Sequence, residues 1–380
     1  MSLLPSFKLQ HVGIGLMMAF ALPVSANIDT WQKGVTIMPG SAEEYARTDF
    51  KESIDAAFDA HVNSVALVIP LYQDALTSSE VHDGWNTPSD ESLQQGIEYI
   101  HSKNMRVMLK LHLYPGNEWS GRIRPADTDQ WFKTYENLVL KYAGIAEREG
   151  VETLCIGSEI IPLSTNTKYQ SQWRDIISRT RLSYAGELTY SANWGPGIYD
   201  EKNKVTFWPE LDYIGISAYF PIKKGTDWSY WDRTQISALQ KKYEKPVLFT
   251  EIGYRSIAGA LANPWDYTLE SKKDDGEQVR AFQKLFDYWK DKDNFGGMYI
   301  WSWKGTSHID TSGKDYTPQG KPALEVIKKE FTSHVQPAVV VSTQASVSAP
   351  SDSSLHWYKS LISLLKKTYI YSSKNLEGLS

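Results

Sequence analysis

The sequence predicts an α/β protein built as a (β/α)8 TIM barrel, and three observations carry that expectation. Short apolar runs alternate with longer amphipathic ones from residue 33 to 331. Eight such runs fall within about 300 residues, the span that a barrel of eight strand–helix units occupies. The connections are also asymmetric. Links from a helix to the next strand are tight, as at Lys103-Asn104, Glu149-Gly150, Ala185-Gly186, Glu244-Lys245 and Phe295-Gly296. Links from a strand to the next helix are long, at 70–88, 114–129, 220–232, 252–275 and 304–321. In such barrels the functional site is built from those long loops at the C-terminal rim.

Taken in order, the expected strands are 33–38, 63–69, 106–113, 151–157, 187–193, 211–219, 246–251 and 297–303. Each is a short apolar run bounded by polar or turn-forming residues. Helix signals fit between them. Ser89 is placed to cap a helix that runs through Gln94, Ile97 and Ile100, and Val279, Phe282, Phe286 and Trp289 recur at helical spacing over 277–289. A doubly wound open sheet is the alternative, but no Gly-rich phosphate loop follows the first strand.

The two ends differ from the middle. Residues 1–26 read as a secretory signal, with Lys8, an apolar run from His11 to Leu22, and small residues at Val24-Ser-Ala26. The run is short for a membrane span, so export to the periplasm or medium is expected, with an uncleaved anchor as the alternative. The mature catalytic domain would then cover 27–331. Residues 332–355 are rich in Ser, Ala, Val, Gln and Pro and read as a flexible linker. In the tail at 356–380, Trp357, Leu361, Leu364, Leu365 and Tyr369 share one face of an amphipathic helix. That helix is suited to docking on the barrel, on a partner or on a membrane surface.

Composition narrows the function. A net charge of −5 gives no reason to expect a nucleic-acid partner. The single cysteine, Cys155, excludes an intramolecular disulfide. Its even spacing from Gly157 and Glu159 puts all three on one expected strand face, with the thiol buried. Tyr and Trp are abundant, at 22 and 14. Nine of the tryptophans fall on the long loops or at strand ends, among them Trp85, Trp119, Trp194, Trp265, Trp301 and Trp303. Aromatic planes there suit the C–H faces of sugars, although a large aromatic core is the plainer reading.

The chemistry is carried by two glutamates at strand ends. Glu159 follows the fourth expected strand and Glu251 ends the seventh, 92 residues later. Barrel closure would bring them to one cavity, where a pair of carboxyls is the apparatus of glycoside hydrolysis. Glu159 is expected to stay protonated through burial and the charge of Glu251, and Glu251 to stay ionised through hydrogen bonds. The plain alternative is a pair of solvated loop acids. Lys110 and His112, two apart on the third strand, should face the interior together, where a lysine needs a carboxylate or a ligand. Tyr219 ends the sixth strand and is placed to donate to Glu251. Asn193 and Trp194 end the fifth, within reach of a sugar hydroxyl. Trp301 and Trp303 share an expected face, and one of them would form a floor under the sugar. Core packing is the alternative for each aromatic. There is no HExxH, no Gly-x-Ser-x-Gly and no P-loop, so no metal or other cofactor is expected.

These residues resemble clan A of the retaining glycoside hydrolases. Lys-x-His on strand three, Ile-Gly-Ser-Glu159 and Thr-Glu251-Ile-Gly-Tyr-Arg-Ser look most like glycoside hydrolase family 113, the endo-β-1,4-mannanases. The resemblance covers about residues 31–331. It implies that Glu159 is the acid/base and Glu251 the nucleophile, with Tyr219, His112, Asn193 and a strand-eight tryptophan lining the cleavage subsite. One position departs: much of the clan has Asn directly before the acid/base, and here Ser158 stands there. The contact to the sugar 2-hydroxyl, which separates mannose from glucose, is thereby left open. The expectation is a monomeric hydrolase acting within a β-linked polysaccharide, β-mannan favoured. Hydrolysis or transglycosylation of another β-glycan or exopolysaccharide is one rival, and a carbohydrate-binding barrel without catalysis is the other.

Overall fold

The computed structural model describes residues 31–306, 309 and 311–333. The expectations for 1–26 and 356–380, and nearly all of 332–355, lie outside the described residues. Eight parallel strands form the barrel: β1 Gln32–Ile37, β2 Ser64–Gln73, β3 Arg106–Pro115, β4 Thr153–Ser158, β5 Glu187–Asn193, β6 Ile214–Ser217, β7 Val247–Ile252 and β8 Phe295–Trp303. Each pairs in parallel with the next, and β1 pairs with both β2 and β8, which closes the ring and excludes the open sheet.

All eight expected strands are present, with differences at their ends. The sixth is shorter than 211–219, because Trp208–Glu210 forms a 3-10 turn just before it. Phe295 and Gly296 are part of β8, not a link. His82–Asp83 adds a short antiparallel pairing to the end of β2, which folds the loop 70–88 back beside the rim.

Around the strands lie α1 Thr48–Asp59, α2 Asp90–Ser102, α3 Thr128–Arg148, α4 Gln170–Ser183, α5 Ser237–Tyr243, α6 Asp275–Trp289 and α7 Ala323–Ser333. The Ser89 hydroxyl accepts from the Ser92 amide, as its position predicts, and Asp127 and Asp274 cap α3 and α6 in the same way. The tight links have a physical reason. Asn104, Gly150, Glu244 and Asn294 sit at φ of 57°, 67°, 53° and 56°, the left-handed turn that ends a helix and returns the chain to a strand. Between β5 and β6 the described chain forms only 3-10 turns, Gly197–Tyr199 and Trp208–Glu210, in place of an α-helix.

Packing divides into two regions. Between strands and helices the core is strongly aromatic, with Trp31, Trp131, Trp173, Trp208 and Trp289 fully buried. Inside the barrel, Ala66, Met108, Cys155, Leu248 and Tyr299 form a separate apolar layer. Burial pushes the Cys155 thiol up to about 11, so it is an inert core group. Above that layer the lumen turns polar. The Ser191 hydroxyl meets those of Ser217 and Thr250 at 3.0 and 2.7 Å, and Lys110 stands beside them. This change of character sets the floor of the site.

Candidate active site

Glu159 and Glu251 reach the cavity through local breaks in strand alternation. On β4, Cys155 pairs with Thr189 but Ser158 pairs with Ser191, so β4 spends one residue more than its neighbour. Such a bulge flips which face the following side chains occupy. A side chain at Gly157 would meet Tyr135 and Tyr190 on the helix side, whereas Ser158 comes level with the lumen-facing Ser191. The expectation of one face for Cys155, Gly157 and Glu159 is therefore corrected. Glu159 follows with φ of 54°, a left-handed turn that carries its side chain over the rim.

The Glu159 carboxyl is held by two donors. Asn193 Nδ2 donates to Oε1 at 3.0 Å and Trp119 Nε1 to Oε2 at 2.7 Å. Its own amide donates to the Ser191 carbonyl at 2.9 Å. Burial and the negative charge of Glu251 push its pKa up to about 7, against the stabilising hydrogen bond from Trp119.

On β7 a second bulge does similar work. Ile216 pairs with Phe249 and Ser217 with Glu251, so Thr250 and Glu251 both turn toward the lumen. Glu251 Oε1 takes the Lys110 ammonium, and Oε2 accepts from the Tyr219 hydroxyl at 3.0 Å. Burial alone would raise this carboxyl; the Lys110 charge, helped by the Tyr219 hydrogen bond, outweighs it and holds the pKa below the ordinary value. Below about pH 7 the two acids thus sit in opposite states.

The remaining expected residues divide. Tyr219 donates to Glu251, as its position predicts. Lys110 is 0 % exposed and also donates to the Thr250 carbonyl at 3.1 Å. Of the two partners its position allowed, a carboxylate or a ligand, it takes the carboxylate, which corrects its assignment to sugar binding: the ammonium is fully buried against Glu251 and the Thr250 carbonyl. His112 stacks on Tyr114 with centroids 4.8 Å apart and places Nδ1 3.9 Å from Glu251. Burial drives its pKa down to about 4, so the ring is neutral at pH 7. Asn193 binds Glu159 through its amide nitrogen, while its side-chain oxygen accepts from Gly195 at 2.7 Å. Trp194 is buried under Trp265, with centroids 5.1 Å apart, and Trp265 is 43 % exposed.

Trp301 and Trp303 do not share a face. Val35 pairs with Ile300 and Ile37 with Trp303, a third bulge, on β8. Trp301 lies beside His112 and Lys110, at 6.1 and 5.9 Å. Trp303 is 1 % exposed and donates its indole N–H to Ser53 on α1. Trp303 is corrected to a core residue between barrel and helix.

Sequence reasoning missed two residues. Trp119 stood only among the rim tryptophans, yet it touches Glu159 and lies 5.6 Å from Tyr199. Glu201 sits in Asp200-Glu201-Lys202, which reads as solvated charge, but it is fully buried behind Glu159. Spacing holds no signal for either.

A carboxylic acid kept protonated near pH 7 can give a proton to a departing oxygen, and a carboxylate kept ionised can attack or stabilise positive charge. An acetal linkage needs both. Comparisons with known proteins agree with that chemistry. The family model described as Glycoside Hydrolase Family 113 matches residues 36–321. No match is found among the curated proteins. Among solved structures, two of a GH113 β-1,4-mannanase are 29 % and 28 % identical, each with TM-score 0.73, covering 80 % of this chain and 99 % of that one. The GH113 β-mannanase AaManA from Alicyclobacillus acidocaldarius, in complex with ManMIm, is 26 % identical with TM-score 0.73, covering 82 % of this chain and all of that one. On a family match that spans most of the barrel, and with an acid and a carboxylate gathered at its rim, the chain belongs to glycoside hydrolase family 113 and is an O-glycoside hydrolase.

Proposed function

We propose that the enzyme is a retaining endo-β-1,4-mannanase in which Glu251 is the nucleophile and Glu159 the acid/base. The observation that carries this reading is the division of labour between the carboxyls: Lys110 and Tyr219 keep one ionised, and burial beside that charge keeps the other protonated. In the first step a Glu251 oxygen bonds to the anomeric carbon as the glycosidic bond breaks, and Glu159 gives its proton to the leaving oxygen. Esterification removes the charge on Glu251. The Glu159 pKa then falls toward its ordinary value, so Glu159 accepts a proton from water as that water attacks the anomeric carbon and frees Glu251. Lys110 compensates the released carboxylate without touching sugar. Trp301 beside His112, and the half-exposed Trp265 that covers Trp194, offer aromatic surfaces to a sugar. The leader-like residues 1–26 support a reaction outside the cytoplasm, and the enzyme is read as a monomer.

Mannan is favoured because the solved relatives above carry that activity in their names. Ser158 favours a second reading, hydrolysis or transglycosylation of another β-glycan. Its buried hydroxyl has no partner among the described residues, and a short side chain there leaves the 2-hydroxyl to other groups. Reducing-sugar release by the full chain from glucomannan, galactomannan, xylan, cellulose and galactan, with Glu251→Gln as control, tests both readings. Release confined to the mannans and lost in the variant supports the first. Release from another polymer alone supports the second.

A further inference from the structure

Glu201 lies in the loop between β5 and β6, and no step of the proposed reaction uses it. Its carboxyl is fully buried and has no ion-pair partner among the described residues. Lys202, its neighbour, turns its ammonium to the Trp194 carbonyl and Asp200 instead. A lone buried carboxylate is costly unless hydrogen bonds replace water. Three donors do so here: the Asn193 amide at 2.7 Å, the Ser164 hydroxyl at 2.5 Å and the Tyr190 hydroxyl at 2.6 Å.

The partners of those donors give the arrangement its meaning. Tyr190 also accepts from the Ile160 amide at 2.8 Å, and Ile160 directly follows Glu159. Asn193, whose amide nitrogen binds Glu159, has its own backbone fixed by Glu201. Glu159, Ile160, Tyr190, Glu201 and Asn193 therefore close a ring of covalent and hydrogen-bonded links around the carboxyl. Glu159 has a positive φ, which costs a non-glycine residue energy and needs surrounding structure to maintain it.

We propose that Glu201 is a positioning residue for the proton donor, clamping the ends of β4 and β5 so that the Glu159 carboxyl and the Asn193 amide keep one geometry. This rests on reading Glu159 as the acid. Burial raises the Glu201 pKa to about 7, so its charge adds a second effect only as pH rises through that value, where it joins Glu251 in pushing the Glu159 pKa upward. The other groups facing Glu159 are Ser217 at the end of β6, Tyr219 just after it, Asn193 from β5 and Trp119 from the loop after β3.

The test compares the full chain with Glu201→Gln on two substrates. One is a mannooligosaccharide, whose leaving alcohol needs protonation. The other is a 2,4-dinitrophenyl β-manno-oligosaccharide, whose leaving group does not. The expected result is a loss of kcat of about tenfold or more on the first, with KM within about twofold and kcat/KM on the second within about threefold. The falling limb of the pH profile should move to lower pH. Tyr190→Phe cuts the bridge to Ile160 and keeps the Glu201 carboxyl, less one of its three donors. It should show the same selectivity with a smaller limb shift, and it carries the test if Glu201→Gln does not fold. A carboxyl 13C NMR titration of Glu159, assigned through Glu159→Gln, needs no substrate. A lower Glu159 pKa in Glu201→Gln supports the charge effect even if no mannan is cleaved, a result that would sink only the substrate reading, and the clamp itself is read from the selectivity between the two leaving groups. Equal losses on both substrates with an unmoved Glu159 titration would overturn the proposal.

Discussion

The lower and upper halves of the barrel lumen are built by opposite rules. Below, Ala66, Met108, Cys155, Leu248 and Tyr299 form one apolar layer that leaves nothing to titrate near neutrality, and the one irregularity beside it is the shift of β8 at Gly296. Above, bulges interrupt β4, β7 and β8, and carboxyls stand beside a lysine and hydroxyls where an apolar core would continue. The lower half obeys the packing logic that gives a fold, and the upper half breaks it where side chains must be re-aimed. The comparison teaches that the enzyme's stability and its chemistry are layered along one axis, a few residues apart on the same strands.

The sharpest way to test that layering is to neutralise Glu251. Glu251→Gln should lower kcat by roughly a thousandfold or more while the protein stays folded, read by steady-state kinetics alongside circular dichroism. Next come two substitutions on one strand, Met108 below and Lys110 above. Met108→Ala should cost about 2–5 kcal/mol in denaturant unfolding, with the pH profile unchanged. Lys110→Met leaves Glu251 buried without its cation. Its pKa should rise, the ascending limb of activity should move to higher pH, and unfolding at pH 7 should cost about 3–5 kcal/mol. A pH profile that moves with Met108 and not with Lys110 would break the comparison.

A smaller effect is expected at Trp119. Trp119→Phe removes a hydrogen bond that favours the ionised form of Glu159, so the Glu159 pKa rises and the descending limb moves to higher pH. The loss in kcat should stay within about tenfold. A last effect is on stability. Because the Glu159 pKa is raised from 4.5 to about 7 in the fold, its contribution is fully present below pH 4.5 and lost as pH rises through 7. Glu159→Gln should therefore gain stability relative to the parent between pH 4.5 and 8, on the order of 2 kcal/mol, as measured by thermal unfolding across that range.

Much of this was legible in the chain. The eight strands follow from apolar runs, and the tight links from Asn, Gly and Glu at left-handed helix ends. Glu159, Glu251 and the Tyr219 contact follow from strand-end placement, since a closed parallel barrel gathers such ends at one rim. What was not legible depends on register. A bulge changes which face a residue occupies without changing its neighbours in sequence, so Gly157 and Trp303 were assigned to the wrong side. Lys110 was rightly read as facing inward, but its pairing with Glu251 rather than a ligand is set by strand stagger. Glu201 was invisible for another reason: burial in an irregular loop leaves no periodicity, and its donors come from β5, the β4–α4 loop and a backbone amide.

The account stands most directly on Glu251 as the group that bonds to sugar. The measurement is peptide mass mapping of the full chain after inactivation by a 2-deoxy-2-fluoro-β-mannosyl fluoride, whose slow turnover traps the glycosyl–enzyme. The account predicts one added fluoromannosyl group on the peptide containing Glu251, absent in Glu251→Gln. An adduct on another residue, or none in a preparation that cleaves mannan with inversion at the anomeric carbon, would contradict it.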